Sequence, residues 1–172
     1  MKLCFFTIKK EGTVTYPTDR LENSIKKYYL DTPFFVCTEK EIKESGSFLF
    51  PISSYSYILT KDFDIVIKIK HNFELLNKID DLIEGDYSAV VTKNLSSIQK
   101  GVWNINPMAY LTSDFIIIKS KDFSQQWLDM CCMDNSKKYI NNEEDKLNIL
   151  TYYGDMTVRI LDKKDLEGKI KI

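Results

Sequence analysis

Short continuous apolar runs alternate along this chain with longer segments of helical periodicity, and this alternation limits the possible folds more than any other feature. The runs are Leu3–Ile8, Phe34–Cys37, Ile65–Ile69, Tyr87–Thr92, Phe115–Ile118 and Val158–Leu161. Runs of this length are typical of strands that are buried on both faces of a parallel sheet. We therefore predict a single α/β domain over residues 1–172, with a mainly parallel sheet and helices on both faces.

The segments between these runs have the apolar spacing of amphipathic helices. Asp19-x-x-Glu22 resembles a capping box and opens the first helix, which is expected to end near Pro33. Further helices are predicted over Phe73–Ile83, Asp122–Met133 and Glu143–Tyr153. The stretch from Ser53 to Tyr57 fits neither pattern, and the lysine-rich end of the chain is expected to be solvated or frayed.

Charge and composition exclude several classes of protein. Hydrophobic residues make up 44% and charged residues 28% of the chain, which is a globular balance. The formal net charge is −1, whereas proteins that bind duplex nucleic acid usually carry a strong basic excess. No apolar run approaches the ~20 residues of a membrane helix, and the four cysteines contain no Cys-x-x-Cys pair. We expect a cytoplasmic protein with no transmembrane segment and no nucleic-acid partner.

Three polar features follow or precede the predicted strands. Lys70-His71-Asn72 comes directly after Ile65–Ile69, at a carboxyl end where open parallel sheets bind ligands. Thr112-Ser113-Asp114 precedes a later strand, and Trp127 lies in the helix beyond it. Asn142-Glu143-Glu144-Asp145-Lys146-Leu147-Asn148 opens the last helix. Acids in the first turn of a helix also favour its macrodipole without any chemical role.

In this order, the three features resemble motifs of the nucleotide-sugar glycosyltransferases of the GT-A fold. In that family a β-α-β unit cradles the nucleotide, a strand ends in Asp-any-Asp, and a later helix begins with an acidic motif before Leu-Asn. The resemblance implies a GT-A-like domain that transfers a sugar from a nucleotide-sugar, with a UDP-sugar as the expected donor. The acceptor would be a hydroxyl group of a glycan, lipid or protein.

The metal motif of the family is degenerate here. Its two carboxylates hold Mn²⁺ or Mg²⁺ because these ions need hard oxygen ligands while they bridge a sugar diphosphate. Lys70 and Asn72 stand at the positions of those acids, and only His71 between them can ligate a metal. We therefore predict no metal ligands and no firm cofactor. Either Lys70 replaces the charge of the metal at a phosphate, or the site is catalytically silent.

The resemblance also assigns the substrate-binding residues. Donor-binding residues are expected at Thr7, Lys9, Lys10, Tyr16, Lys70, His71 and Asn72, and acceptor-side residues at Thr112, Ser113 and Asp114. Asp145 is expected to be the acceptor-side base or a donor contact, with Glu144 supporting it. Because Asp145 lies about 200° around the helix from Leu147, we expect it off the buried face, where it can face a cleft.

Two other functions remain open at this point. A non-catalytic GT-A-like domain would bind a sugar, a nucleotide or a protein partner without transferring anything, and the missing acid pair favours this alternative. An unrelated α/β interaction domain would have no pocket at the ends of its strands.

Overall fold

The computed structural model describes residues 1–9, 18–38, 50–94, 105–133 and 142–172. The strands are β1 (Leu3–Lys9), β2 (Phe34–Thr38), β3 (Ile65–Ile69), β4 (Glu74–Leu75), β5 (Ala89–Lys93), β6 (Leu111–Ile118), β7 (Val158–Leu161) and β8 (Ile170–Lys171). The α-helices are α1 (Asp19–Tyr28), α2 (Pro51–Leu59), α3 (Asp80–Ile83), α4 (Lys121–Cys132) and α5 (Glu143–Tyr153). Short 3-10 helices cover Pro107–Ala109 and Lys163–Leu166.

The described strands form a six-stranded central sheet in the order β2-β1-β3-β6-β5-β7. β1 is parallel to β2 and β3, and β5 is parallel to β7, so the predicted mainly parallel sheet is confirmed. β6 runs antiparallel to both of its neighbours. The amino end of β6 therefore lies at the same edge of the sheet as the carboxyl ends of β1 and β3.

The sheet is covered on both faces, as the sequence predicts. Alternate residues of each strand point to opposite faces, so Phe5 packs in one core and its neighbour Phe6 in the other. The first core includes residues of α1 and α3, and the second includes residues of α2, α4 and α5. Trp127 is fully buried in the second core. None of the helices in the described ranges has the length and apolar character needed to cross a bilayer.

The predicted helix over Phe73–Ile83 is wrong. The structure divides this segment into strand β4 and the short helix α3. Leu75 of β4 pairs with Ile170 of β8 in a separate two-stranded sheet. The apolar residues of the segment are mostly buried, as a helix would require, but the pairing with β8 takes the backbone groups that a helix would use internally.

Two other expectations need correction. The lysine-rich end of the chain is not frayed, because Leu166 and Ile170 are buried and β8 is paired. The polar residues from Thr112 to Asp114 do not form a loop before a strand but belong to β6 itself.

Candidate functional site

Cations gather at the edge of the sheet where β1 and β3 end. Lys9 is the last residue of β1, and Lys70 and His71 follow β3 directly. The pKa of His71 is lowered by burial and then by the positive charges of Lys70, Lys68 and Lys9, whereas Asp114 acts in the opposite direction. Three of the predicted donor-binding residues therefore share one region with positive potential.

The remaining predicted donor residues are less closely placed. Thr7 is fully buried two residues before the end of β1, and its hydroxyl oxygen has no hydrogen-bond partner in the described part of the chain. Asn72 is exposed just after His71. Lys10 and Tyr16 lie outside the described residues.

Lys70 joins the predicted donor side to the predicted acceptor side. Its ammonium group lies 3.1 Å from the carboxylate of Asp114, and its backbone N–H donates to the Asp114 carbonyl at 2.8 Å. The side chain of Lys70 is 39% exposed and that of Asp114 is 20% exposed. The ion pair is therefore open to solvent and to a charged ligand.

A bulge in β6 shapes the acceptor side. Val91 of β5 is opposite Ile116, but the next residue, Thr92, is opposite Thr112, so residues 113–115 have no direct partner on β5. The Thr92 hydroxyl fills part of this gap by donating to the Phe115 carbonyl at 3.0 Å. Bulges of this kind aim backbone and side-chain groups in new directions and are frequent beside active sites.

Because of the bulge, the polar groups of Ser113 form hydrogen bonds with side chains and not with β5. Its backbone N–H and its hydroxyl both donate to Oε1 of Glu144, each at 3.1 Å. Its carbonyl accepts a hydrogen bond from Nζ of Lys68. Thr112 is buried beside it, and its hydroxyl oxygen accepts from the Asp114 N–H at 3.4 Å.

Lys68 is a site residue that the sequence analysis missed. It is 5% exposed, although lysines are almost never buried unless they are paired. Burial lowers the pKa of Lys68 to about 8, while the negative charges of Asp114, Glu144 and Glu143 oppose that decrease. The signal was available in the sequence, since Lys68 is a single charge within the otherwise apolar run Ile65–Ile69.

The three acids that open α5 have three different partners. The backbone N–H of Asp145 donates to the side chain of Asn142 at 2.8 Å, which caps the helix. Glu143 accepts from the backbone N–H groups of Ile52 and Ser53 at the start of α2, at 3.2 and 2.6 Å. Burial raises the pKa of Glu143. Glu143 is therefore a structural residue that joins two helices, and Glu144 faces Ser113 instead.

Asp145 is buried, contrary to the expectation that it lies off the packed face. The residue is 7% exposed, and its carboxylate accepts a hydrogen bond from the Tyr110 hydroxyl at 2.9 Å. Burial and the negative charge of Asp145 raise the pKa of Tyr110, so the phenol stays protonated and donates. The amino-terminal half of α5 is enclosed on nearly every side, and not only along the stripe of Leu147.

A cavity of about 330 Å³ lies between the segment that precedes β6 and the carboxyl-terminal end of α5. It is lined by Ile105, Asn106, Ala109, Tyr152 and Tyr153. The hydroxyl of Tyr152 donates to the Ala109 carbonyl at 2.5 Å, which fixes one wall of the cavity. Tyr153 is 59% exposed. The cavity is adjacent to Tyr110, because Tyr110 packs with Ile105.

Comparisons with known proteins identify the fold. No known protein family and no curated protein matches the chain. Solved structures do match it. The bifunctional glycosyltransferase WbbM in its apo form superposes with a TM-score of 0.57 at 12% identity, over 93% of this chain and 38% of that one. The chain has a GT-A-like glycosyltransferase fold.

Two further solved structures agree with this fold. The glycosyltransferase GlyE of Streptococcus pneumoniae TIGR4 has a TM-score of 0.56 at 10% identity, over 93% of this chain and 45% of that one. A glycosyltransferase involved in glycosylation of the major capsid of PBCV-1 has a TM-score of 0.54 at 9% identity, over 92% of this chain and 82% of that one. The GT-A-like chain thus spans less than half the length of WbbM and GlyE.

The divalent metal that this fold family implies does not fit the residues at the motif position. Lys70, His71 and Asn72 offer no carboxylate, and the positive charges that lower the pKa of His71 also repel a cation. The described residues contain no group of three or more His, Cys, Asp or Glu side chains arranged to hold a metal ion.

Proposed function

We propose that this chain is a glycosyltransferase domain that moves a sugar from a nucleotide-sugar, with a UDP-sugar as the expected donor, to a hydroxyl group of a glycan, lipid or protein. One observation carries the proposal. The cation cluster, which consists of Lys9 and Lys70 with the imidazole of His71 beside them, and the acid pair Glu144 and Asp145 converge on one edge of a glycosyltransferase-like sheet.

The cation cluster is proposed to bind the diphosphate of the donor. The ammonium of Lys70 is partly exposed; it pairs with Asp114 and lies 5.9 Å from the ring centre of Phe73. A phosphate oxygen can therefore replace or share that ion pair. Lys9, His71 and Asn72 lie around the same position, and Thr7, Lys10 and Tyr16 are assigned to the donor by the resemblance. In this proposal Lys70 supplies the positive charge that a metal supplies elsewhere in the fold family.

The acid pair is proposed to act on the acceptor. In an inverting reaction, Asp145 takes the proton of the acceptor hydroxyl as that oxygen attacks the anomeric carbon of the sugar, and the bond from that carbon to the diphosphate oxygen breaks to release UDP. In a retaining reaction, Asp145 contacts the donor sugar instead. Tyr110 orients the Asp145 carboxylate, and Glu144 supports it by fixing Ser113. The cavity at the end of α5, which adjoins Tyr110 through Ile105, offers tyrosine rings that suit the apolar face of an acceptor sugar.

The single histidine of the chain provides a direct test of donor binding. The His71 C2–H resonance can be followed by NMR in protein without a histidine tag, across a pH range, with and without UDP or UDP-glucose. A diphosphate that binds the cluster is expected to raise the pKa of His71, because its negative charge offsets the nearby lysines. Lys70→Met is expected to weaken this response, and Lys121→Met, at an exposed helix position, is the matched control.

The same samples distinguish the two candidate functions. Release of UDP in the presence of a hydroxyl acceptor supports the transferase, whereas binding without release supports a non-catalytic domain that binds a nucleotide-sugar. This second function is favoured by the absence of the two metal-binding carboxylates of the family, whose positions are occupied here by Lys70 and Asn72. If no nucleotide-sugar in a panel moves the His71 resonance or raises the melting temperature, both proposals are wrong.

A further inference from the structure

A buried lysine lies beneath the proposed site and has no role in the chemistry proposed above. Lys68 is in β3, with Phe6 of β1 on one side and Ile116 of β6 on the other. Strand alternation places it on the same face of the sheet as Val66, which packs in the core that includes α5. A charged ammonium in such surroundings is costly unless specific partners stabilise it.

The partners of Lys68 lead directly to the proposed site. Its ammonium donates to the carbonyl of Ser113, and the N–H and hydroxyl of the same serine donate to Glu144. The next residue, Asp114, forms the ion pair with Lys70. The charges of Asp114, Glu144 and Glu143 stabilise the ammonium form of Lys68, and the charge of Lys70 destabilises it.

The bulge in β6 explains why a hydrogen-bond donor is needed at this position. Because residues 113–115 are not paired with β5, the Ser113 carbonyl is buried without a strand partner. An unpaired buried carbonyl is unfavourable, and Lys68 satisfies it. Since Lys68 itself is 5% exposed, it acts on the site through Ser113 and not by direct contact with substrate.

We propose that Lys68 is a positioning residue whose buried ammonium holds Ser113 in the bulge of β6 and thereby fixes the carboxylates of Glu144 and Asp114 at the edge of the sheet. Its consequence for sugar transfer rests on the proposed function. Its coupling to the two carboxylates does not, because that coupling is a property of the free protein.

The coupling can be measured by NMR titration of the lysine side chains. Lys68 is expected to titrate near its lowered pKa of about 8, apart from the exposed lysines. Glu144→Gln removes one stabilising charge and is expected to lower this midpoint by about one pH unit, and Asp114→Asn should act in the same direction. Glu84→Gln, at an exposed position, is the control that should leave the midpoint unchanged. Midpoints that do not move in either of the first two variants overturn the proposal.

The effect on turnover separates this proposal from the proposed function. Lys68→Met is expected to lower kcat at least tenfold while the KM for the donor stays near wild type, and Lys68→Arg should recover part of the loss because it keeps the charge. Full kcat in a folded Lys68→Met protein contradicts a positioning role. If the Met variant does not fold, the titration of the wild-type lysine decides. If the midpoint of Lys68 responds to Glu144 and Asp114 but the parent protein shows no turnover, the transferase proposal is wrong and the positioning role of Lys68 is still supported.

Discussion

The side-chain amide of Asn148 forms two hydrogen bonds with the backbone of Leu111, the first residue of β6. The Leu111 N–H donates to Oδ1 at 2.8 Å, and Nδ2 donates to the Leu111 carbonyl at 2.9 Å. The same nitrogen donates to the carbonyl of Glu144, one turn earlier in α5, at 2.8 Å. Asn148 therefore attaches α5 to the start of β6 and helps to hold Glu144 against Ser113.

Replacing Asn148 by leucine is expected to destabilise the protein by about 2–4 kcal/mol, because the buried backbone groups of Leu111 lose their partners. Urea unfolding followed by circular dichroism measures the change. Asn23→Leu is the matched control, since Asn23 is exposed on α1, and it should change the free energy of unfolding by less than about 0.5 kcal/mol. Equal effects of the two substitutions would show that the amide of Asn148 has no special role.

Substitutions of Asp145 and Glu143 are expected to differ in their effects: the first should reduce turnover, and the second should reduce mainly stability. Asp145→Asn should reduce turnover by about 10²–10⁴-fold if Asp145 is the base, with a stability loss of at most about 2 kcal/mol, because the side-chain oxygen of asparagine still accepts from Tyr110. Glu143→Gln should cost about 1–3 kcal/mol of stability, since its amide nitrogen cannot accept from α2, and should leave turnover within a few-fold of wild type. Steady-state kinetics and thermal melts measure both, and wild-type turnover by Asp145→Asn would exclude it as the base.

Lys68 is expected to make stability rise with pH. Its pKa in the folded protein, about 8, lies below the ordinary 10.5, so between these values the unfolded chain binds a proton that the folded protein lacks. The free energy of unfolding then increases through this window, by on the order of 3 kcal/mol in full. Burial raises the pKa of the Cys4 and Cys131 thiols from 9.0 to about 12. These two groups therefore lower the free energy of unfolding as the pH rises above about 9.

The contribution of Lys68 is isolated by comparing wild type with Lys68→Met, in which both thiols remain. Both proteins are unfolded in urea at several pH values from about 7 to 10.5. The difference between their free energies of unfolding should change by on the order of 3 kcal/mol across this range. A constant difference across the range would mean that Lys68 is not a buried charge in solution.

Any sugar transfer by this protein is expected to persist in excess chelator, because in the proposed site Lys70, and not a divalent ion, supplies the positive charge at the diphosphate. UDP release is compared with EDTA and with added Mn²⁺. Metal analysis of the purified protein provides a second measurement. About one Mn²⁺ per chain, lost on substitution of Asn72 by alanine, would contradict the metal-independent site.

Tyr153→Ala is expected to raise the KM for a sugar acceptor several-fold while the response of His71 to UDP stays unchanged, because Tyr153 lines the cavity and not the cation cluster. Tyr57→Ala on α2, away from this cavity, is the control. An unchanged acceptor KM would place the acceptor elsewhere.

The sequence by itself determined the elements whose signals are local. Ile65–Ile69 is a strand with the predicted bounds, and Glu143–Tyr153 is a helix with the predicted bounds. In the helix, the capping side chain of Asn142 and the N–H of Asp145 are three residues apart, so the sequence contains the whole signal. The mainly parallel fold follows from such elements, because their order along the chain restricts how the strands can pair.

The tertiary structure decided everything that depends on a partner distant in the chain. The serine-rich helix α2 is stabilised at its start by Glu143, about ninety residues later, and β4 replaces part of a predicted helix because β8 pairs with it. The apolar run around Lys68 indicates a buried strand, but only the tertiary structure shows that the carbonyl of Ser113 is the partner of its ammonium. Periodicity records which side chains are apolar, but hydrogen bonds between distant segments decide which backbone geometry and which charges can be buried.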